Sequence, residues 1–171
     1  MLKRRLSTFR RACSHFEVRK LMKTLVLGLG NTILSDDGVG IHIAFEIEKK
    51  CSHVDVVEAS AAGFRVIDEI IGYEKLILID SIKTGKAEPG ELHRFTFDEF
   101  SRTMHHSSPH DISLFEAFDI MKKEKADLPT DIKVYAVEVM ETQIFSENCT
   151  KKVAEAIPKI AEIVIEENGL T

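Results

Sequence analysis

The sequence has no tryptophan and only three cysteines, which are Cys13, Cys51 and Cys149. No two of these cysteines form a Cys-x-x-Cys pair, so the sequence indicates neither a disulfide framework nor a thiolate zinc site. A reduced, cytoplasmic setting is the prediction that follows. Long apolar runs are also missing. The longest have the length of a strand, and we therefore expect no insertion into a membrane.

Only the N-terminal segment has more basic than acidic residues overall. Residues 1–21 carry a formal charge of +6 while the whole chain carries −5, which leaves −11 for residues 22–171. An acidic body argues against nucleic-acid binding and favours a basic or metal-bearing partner. We predict a basic extension over residues 1–21, disordered or helical, followed by a single α/β domain over residues 22–171.

Familiar catalytic and nucleotide-binding motifs are missing as well. The sequence contains neither an HExxH zinc helix nor a GxSxG nucleophile turn. Gly28 and Gly30 begin a loop of the dinucleotide-binding type, but Ile33 stands where its third glycine would be. The adjacent carboxylates of Asp36 and Asp37 would also repel a phosphate. A nucleotide-dependent α/β enzyme is therefore only a minor alternative.

Strand and helix patterns alternate from Met22 onward. This order predicts a three-layer α/β sandwich, in which helices cover both faces of a mostly parallel sheet. Residues 76–79 (LILI) are the least polar stretch and predict the central strand. The alternating segment 91–97 predicts an antiparallel edge strand. The other predicted strands are 24–29, 54–58 and 132–137, and the predicted helices are 36–50, 63–72, 110–123 and 146–166.

Two segments carry further expectations about the fold. Residues 101–109 are polar and predict a loop between the edge strand and the next helix. Pro158 lies inside the last helical pattern. Its ring and its missing N–H are expected to kink the helix or to mark a break in it.

Three polar side chains lie where a parallel sheet places its site, beyond the carboxyl ends of the strands. Asp37 lies after the first strand, Asp80 follows the central strand directly, and His110 stands between a loop and a helix. Two carboxylates and one imidazole suit Zn²⁺ or Ni²⁺ better than Mg²⁺ or Ca²⁺. Structural roles stay open. Asp36 is expected to cap the helix that follows it, Asp80 could complete a turn, and His110 could be a surface residue.

Three segments, in the expected order, resemble the hydrogenase maturation endopeptidases, a family that processes the large subunit of nickel–iron hydrogenases. They are GLGNTILSDDGVG at residues 28–40, LILIDSI at residues 76–82 and SPHDISL at residues 108–114. The first is the most specific, because it is close to the family pattern GxGNxLxxDDGxG. The resemblance extends from about Met22 to the end of the last helix.

The resemblance implies an endopeptidase that removes a short C-terminal peptide from the nickel-loaded precursor of a hydrogenase large subunit. Position by position, it assigns the metal ligands to Asp37, Asp80 and His110, and catalysis to Asp37 and Asp80. Nickel would arrive with the precursor, which is the expected partner, so no stored cofactor is expected. A cytoplasmic monomer is the family-level expectation. The candidates for contact with the substrate are Gly30, Asn31, Asp36 and Glu58.

One segment departs from the family pattern. Where many members have DGGTxG after the second strand, this chain has EASAAG at residues 58–63. Alanine resists the positive φ angles that glycine adopts, so the departure bears on the choice of substrate. The mechanism also stays open. Nickel could polarise the reacting groups, or it could serve only as a recognition tag beside an aspartate base, and a protein that senses nickel without cleaving is a further alternative.

Overall fold

The computed structural model describes residues 22–60, 63–104 and 114–170. Its five strands form one sheet in the order β2-β1-β3-β5-β4. The first four strands in this order run parallel to one another, and β4 pairs antiparallel with β5 at the edge. The predicted central and edge strands are both confirmed. The strands are β1 (Thr24–Leu29), β2 (Asp55–Ala59), β3 (Lys75–Ile82), β4 (Leu92–Phe95) and β5 (Asp131–Glu138).

Five helices cover the two faces of this sheet, so the predicted three-layer sandwich is confirmed. One core lies between the sheet and helices α1 and α5, and the other lies between the sheet and helices α2, α3 and α4. Alternate residues of each strand enter opposite cores, as the pleat of a strand requires. The helices are α1 (Val39–Lys50), α2 (Phe64–Ile70), α3 (Phe97–Met104), α4 (Leu114–Lys123) and α5 (Lys151–Asn168).

The central strand β3 is buried on both faces, which explains its unbroken apolar run. Leu76, Ile77, Leu78 and Ile79 are all fully buried. Leu76 and Leu78 enter the core under α2, α3 and α4, whereas Ile77 and Ile79 enter the core under α1 and α5. A strand that is covered on both faces has no position for a solvated side chain along its length. Polar side chains on β3 are therefore confined to its two ends, with Lys75 at the amino end and Asp80 and Ser81 near the carboxyl end.

Aromatic rings hold α3 and α4 together on one face of the sheet. The ring centroid of Phe97 lies 4.9 Å from that of Phe115 and 4.6 Å from that of Phe118. Phe100 is fully buried, and its ring centroid lies 5.9 Å from that of Phe115. Tilted rings at these distances are a favourable arrangement for aromatic pairs. Both helices that flank residues 105–113 are therefore fixed by packing.

The predicted loop over residues 101–109 is wrong in its first part, because helix α3 runs to Met104. A local signal explains the helix. The Thr96 hydroxyl accepts a hydrogen bond from the Glu99 N–H at 3.3 Å, and the Glu99 carboxylate accepts one from the Thr96 N–H at 2.8 Å. This reciprocal pair is a capping box, which the spacing of Thr96 and Glu99 already contains.

The last helix is continuous through Pro158, so the expected break is absent from α5. Buried residues lie on both sides of the proline, among them Val153 and Ile160. Their packing against the sheet stabilises the helix against the loss of one backbone hydrogen bond. Within the residues that the structure describes, no helix has both the length and the apolar character needed to cross a bilayer.

Candidate active site

Asp37 and Asp80 come together at the carboxyl end of the sheet. Gly28 in β1 lies opposite Ile79 in β3, so the two strands end side by side. The Ser81 N–H donates a hydrogen bond to Asp80 Oδ1 at 2.7 Å, and the Ser81 hydroxyl donates a longer one to Asp37 Oδ1 at 3.4 Å. One residue thus contacts both carboxylates. Two of the three predicted ligands share a single site.

The loop that carries Asp37 folds tightly against the strand ends, and glycines make this approach possible. Gly30 has a φ of +131°, and a Cβ atom on it would lie 1.9 Å from the carbonyl oxygen of Asp37. A Cβ atom on Gly40 would lie 2.3 Å from the Ile79 carbonyl oxygen and 2.6 Å from the Leu29 carbonyl oxygen. Backbone therefore packs directly on backbone here. The glycines of the segment 28–40 are required by this geometry.

We expect Gly30→Ala to reduce the free energy of unfolding by more than about 2 kcal/mol, because it adds a steric clash to an unfavourable φ. Gly72→Ala is the matched control. Gly72 also has a positive φ, +82°, but nothing lies within 4 Å of its added Cβ. The control should lose only about 1 kcal/mol. Urea denaturation measures the two losses of unfolding free energy. Equal losses would show that the close contact between Gly30 and the Asp37 backbone does not exclude a side chain at position 30.

Asp80 is buried in an environment that disfavours its charge. Its side chain is 8% exposed, and by alternation along β3 it lies on the same face as Leu78 and Ile82. Burial raises the pKa of Asp80 to about 7; the Ser81 N–H opposes this effect, and the negative charge of Asp37 adds to it. In the absence of a cation, a substantial fraction of Asp80 therefore carries a proton at neutral pH.

Asp37 is half-buried and more accessible than Asp80. Burial raises the pKa of Asp37, while hydrogen bonds from the Asn31 backbone and from the Ser81 hydroxyl act in the opposite direction. Two neighbouring carboxyl groups with raised pKa values resist being charged together. Such a pair can hold a proton between them or bind a cation, and both properties suit a hydrolytic site.

Asp36 has a different environment from its neighbour, although both acids stand in the same single turn of 3-10 helix, Ser35–Gly38. It is fully buried. Its carboxylate accepts hydrogen bonds from the Thr150 N–H at 2.6 Å and the Thr150 hydroxyl at 3.0 Å, and from the N–H groups of Met140 and Glu141. Helix α1 has no side-chain cap, so the expected capping role of Asp36 is wrong. Its burial places it in the framework beneath the site.

The other candidates for substrate contact lie around the same sheet edge. The Asn31 side chain accepts a hydrogen bond from the Ile33 N–H at 3.2 Å and shapes the loop beside Asp37. The Gly30 N–H donates to the Ala59 carbonyl oxygen at 3.3 Å, which ties this loop to β2. Glu58 is exposed on β2, opposite Gly28. Contact of these residues with a substrate stays a prediction.

The third predicted ligand, His110, lies outside the described residues, as do Ala61 and Ala62 of the departing segment. The segment 105–113 connects α3 to α4, and both helices pack on the face of the sheet that Asp80 enters. The part of the chain that the structure describes contains no group of three His, Cys, Asp or Glu side chains placed to hold a metal ion. Metal ligation by Asp37, Asp80 and His110 stays a prediction.

Sequence reasoning missed two residues beside the site, Ser81 and Glu138. Glu138 is almost fully buried at the end of β5, and it accepts hydrogen bonds from the Thr84 N–H, the Thr84 hydroxyl and the Gly85 N–H at 2.8–2.9 Å. His93 Nε2 lies 3.1 Å from its carboxylate. Burial raises the pKa of Glu138, but these hydrogen bonds outweigh it and lower the pKa. An acid at the end of an apolar strand was the available signal, as it was for Asp80.

The sequence is similar to known hydrogenase maturation proteases. The family model described as hydrogenase maturation protease matches residues 41–167. The hydrogenase 2 maturation protease of Escherichia coli is 26% identical over 105 residues, which are 59% of this chain and 64% of that protein. A putative hydrogenase maturation protease of Methanocaldococcus jannaschii is 27% identical over 158 residues, 84% of this chain and 94% of that protein. The match thus spans just under two thirds of the Escherichia coli relative.

Solved structures share the fold. The hydrogenase maturating endopeptidase HybD of Escherichia coli superposes with a TM-score of 0.71 at 21% identity, over 86% of this chain and 94% of that chain. The nickel–iron hydrogenase maturation protease HybD of Thermococcus kodakarensis gives a TM-score of 0.64 at 23% identity, over 85% and 99% of the two chains. At these identities the superpositions establish a common architecture.

Proposed function

Because this chain belongs to the hydrogenase maturation protease family, we propose that it removes a short C-terminal peptide from the nickel-loaded precursor of a hydrogenase large subunit. The observation that carries the proposal is the carboxylate pair, in which Ser81 contacts both Asp37 and Asp80 at the carboxyl end of the sheet. This edge is where open α/β sheets place their ligands.

In this proposal nickel is part of the substrate. Asp37 and Asp80 offer it carboxylate oxygens, and His110 is the proposed third ligand. A pair of carboxyl groups with raised pKa values is suited to bind a cation, because the cation stabilises the charged forms of both groups. Three protein ligands would leave positions open for groups of the precursor. Nickel in the precursor would then report that the metal centre is filled before the peptide is cut.

Peptide hydrolysis needs one group to take a proton from the attacking water and a proton source for the leaving amine. Asp37 is the more accessible carboxylate and is proposed to face the water. Nickel bound at the pair would keep Asp80 in its charged form, so in the loaded site Asp80 would act as a ligand or as a base, and the proton taken from the water would pass to the leaving amine. Nickel would polarise the scissile carbonyl group or the water if it is catalytic, and would only position the precursor if it is a tag.

Incubation with a purified, nickel-loaded precursor tests the reaction. We expect the intact mass of the large subunit to fall by the mass of a C-terminal peptide, and the released peptide to appear in the same spectrum. A stable complex in which the precursor keeps its full mass would contradict the proposal. That result would favour a checkpoint protein that senses nickel without cleaving.

A further inference from the structure

Exposed apolar side chains concentrate beside the carboxylate pair. Nine large apolar side chains are exposed among the described residues, and four of them lie on two loops at the carboxyl end of the sheet. Single exposed apolar residues are ordinary on a protein surface, but a group of them marks a place where another molecule binds. We name this group the apolar platform; its members and their exposed fractions are Ile33 (49%), Met140 (55%), Ile144 (59%) and Phe145 (81%).

The two loops of the apolar platform are joined by their backbones. The Ser146 N–H donates to the Ile33 carbonyl oxygen at 3.0 Å, and the Asp36 N–H donates to the Glu141 carbonyl oxygen at 3.0 Å. The Glu141 carboxylate also accepts a hydrogen bond from the Ile144 N–H at 3.1 Å. These bonds fix the backbone that presents the apolar side chains. Their exposure therefore does not result from a loose loop.

The apolar platform is continuous with the candidate site. Ile33 stands in the loop that leads from β1 to Asp37, and the Asp37 N–H donates to the Leu34 carbonyl oxygen at 3.1 Å. Met140 follows the end of β5, where Val137 lies opposite Ser81 in the sheet. A polypeptide whose backbone lies at Asp37 would therefore pass close to these side chains.

We propose that the apolar platform binds apolar side chains of the large-subunit precursor next to the bond that is cut; this inference rests on the function proposed above. Metal ligation alone would recognise any accessible nickel, whereas burial of apolar surface adds affinity for one polypeptide. Aromatic side chains at the centre of such contacts contribute most of the binding energy. Phe145, the most exposed member, is the residue on which binding depends most.

Cleavage kinetics of Phe145→Ser test the inference. We expect its KM for the nickel-loaded precursor to rise at least about tenfold, because a large apolar contact is lost. Ile144→Ser should raise KM in the same direction. Ile120→Ser is its matched control, since Ile120 is 41% exposed on α4 and belongs to neither loop of the platform. Thermal melts of all three variants should agree with the unmodified protein, which shows that the fold is kept.

Three results would overturn the inference, and they differ from one another. An unchanged KM in Phe145→Ser, with cleavage by the unmodified protein, would refute the platform and leave the proposed function intact. A precursor that the unmodified protein never cleaves would refute both. Sedimentation velocity gives the third result: a dimer of the unmodified protein that Phe145→Ser converts to a monomer would show that the platform binds a second copy of this chain.

Discussion

Asp80→Asn is expected to slow cleavage of the precursor by between about a hundredfold and ten-thousandfold, the range found when a proton-transfer group is removed. The amide keeps an oxygen that accepts the Ser81 hydrogen bond, but it neither holds a proton nor carries charge for a cation. The same variant is expected to be more stable than the unmodified protein at neutral pH. A catalytic loss that accompanies a gain in stability separates a functional carboxylate from a structural one.

The gain in stability of Asp80→Asn should increase as the pH rises towards 7. Burial raises the pKa of Asp80 to about 7 in the folded protein, well above its ordinary value of 3.8. Between these two values the folded state keeps a proton that the unfolded state has lost, so the free energy of unfolding falls as the pH rises. The total fall is on the order of 4 kcal/mol. Above pH 7 both states are ionised and the effect is constant.

Urea denaturation at pH 5 and pH 8, with a chelator present, measures this dependence. The difference in unfolding free energy between Asp80→Asn and the unmodified protein should grow as the pH rises from 5 to 8. Asp68→Asn is the control, because Asp68 is an exposed carboxylate on α2. Its curve should stay parallel to that of the unmodified protein. Parallel curves for Asp80→Asn would refute the raised pKa.

Asp36→Ala is expected to reduce the free energy of unfolding by about 3 kcal/mol or more. The change leaves three partly buried backbone N–H groups and one hydroxyl without the carboxylate that accepts their hydrogen bonds. Asp37→Ala is the matched comparison, since it removes the adjacent acid of the same turn. It should cost much less, because its carboxylate is half-buried and its hydrogen bond with Ser81 is long. Equal losses of stability would contradict the division of roles between the two acids.

The different roles of Asp36 and Asp37 could not be read from their sequence neighbourhood. Both acids follow the same strand and stand in the same turn. What separates them is Thr150, which lies 114 residues further along the chain and donates to the Asp36 carboxylate. A contact between such distant residues depends on the order of strands in the sheet. The residues around Asp36 in the sequence do not indicate its contact with Thr150. Their pattern favoured a helix cap instead.

The strand predictions that the structure confirms were based on patterns of burial in the sequence. The run 76–79 predicted a strand covered on both faces, and the alternation over 91–97 predicted an edge strand, because each pattern reports how many faces meet solvent. The same reasoning singled out Asp80, since a carboxylate at the end of a buried strand needs a compensating partner; the structure shows its burial, and its role in the site stays a prediction. The helix at Phe97–Met104 was missed because polar residues outweighed a capping box that the sequence did contain.

Mass spectrometry of a large-subunit precursor, in nickel-loaded and nickel-free forms, tests the central claim most directly. Each form is incubated with the unmodified protein and with Asp37→Asn. The proposed function predicts loss of a short C-terminal peptide from the nickel-loaded form alone, and only with the unmodified protein. Cleavage of both forms at equal rates would contradict recognition of nickel. Full cleavage by Asp37→Asn would contradict the role of the carboxylate pair.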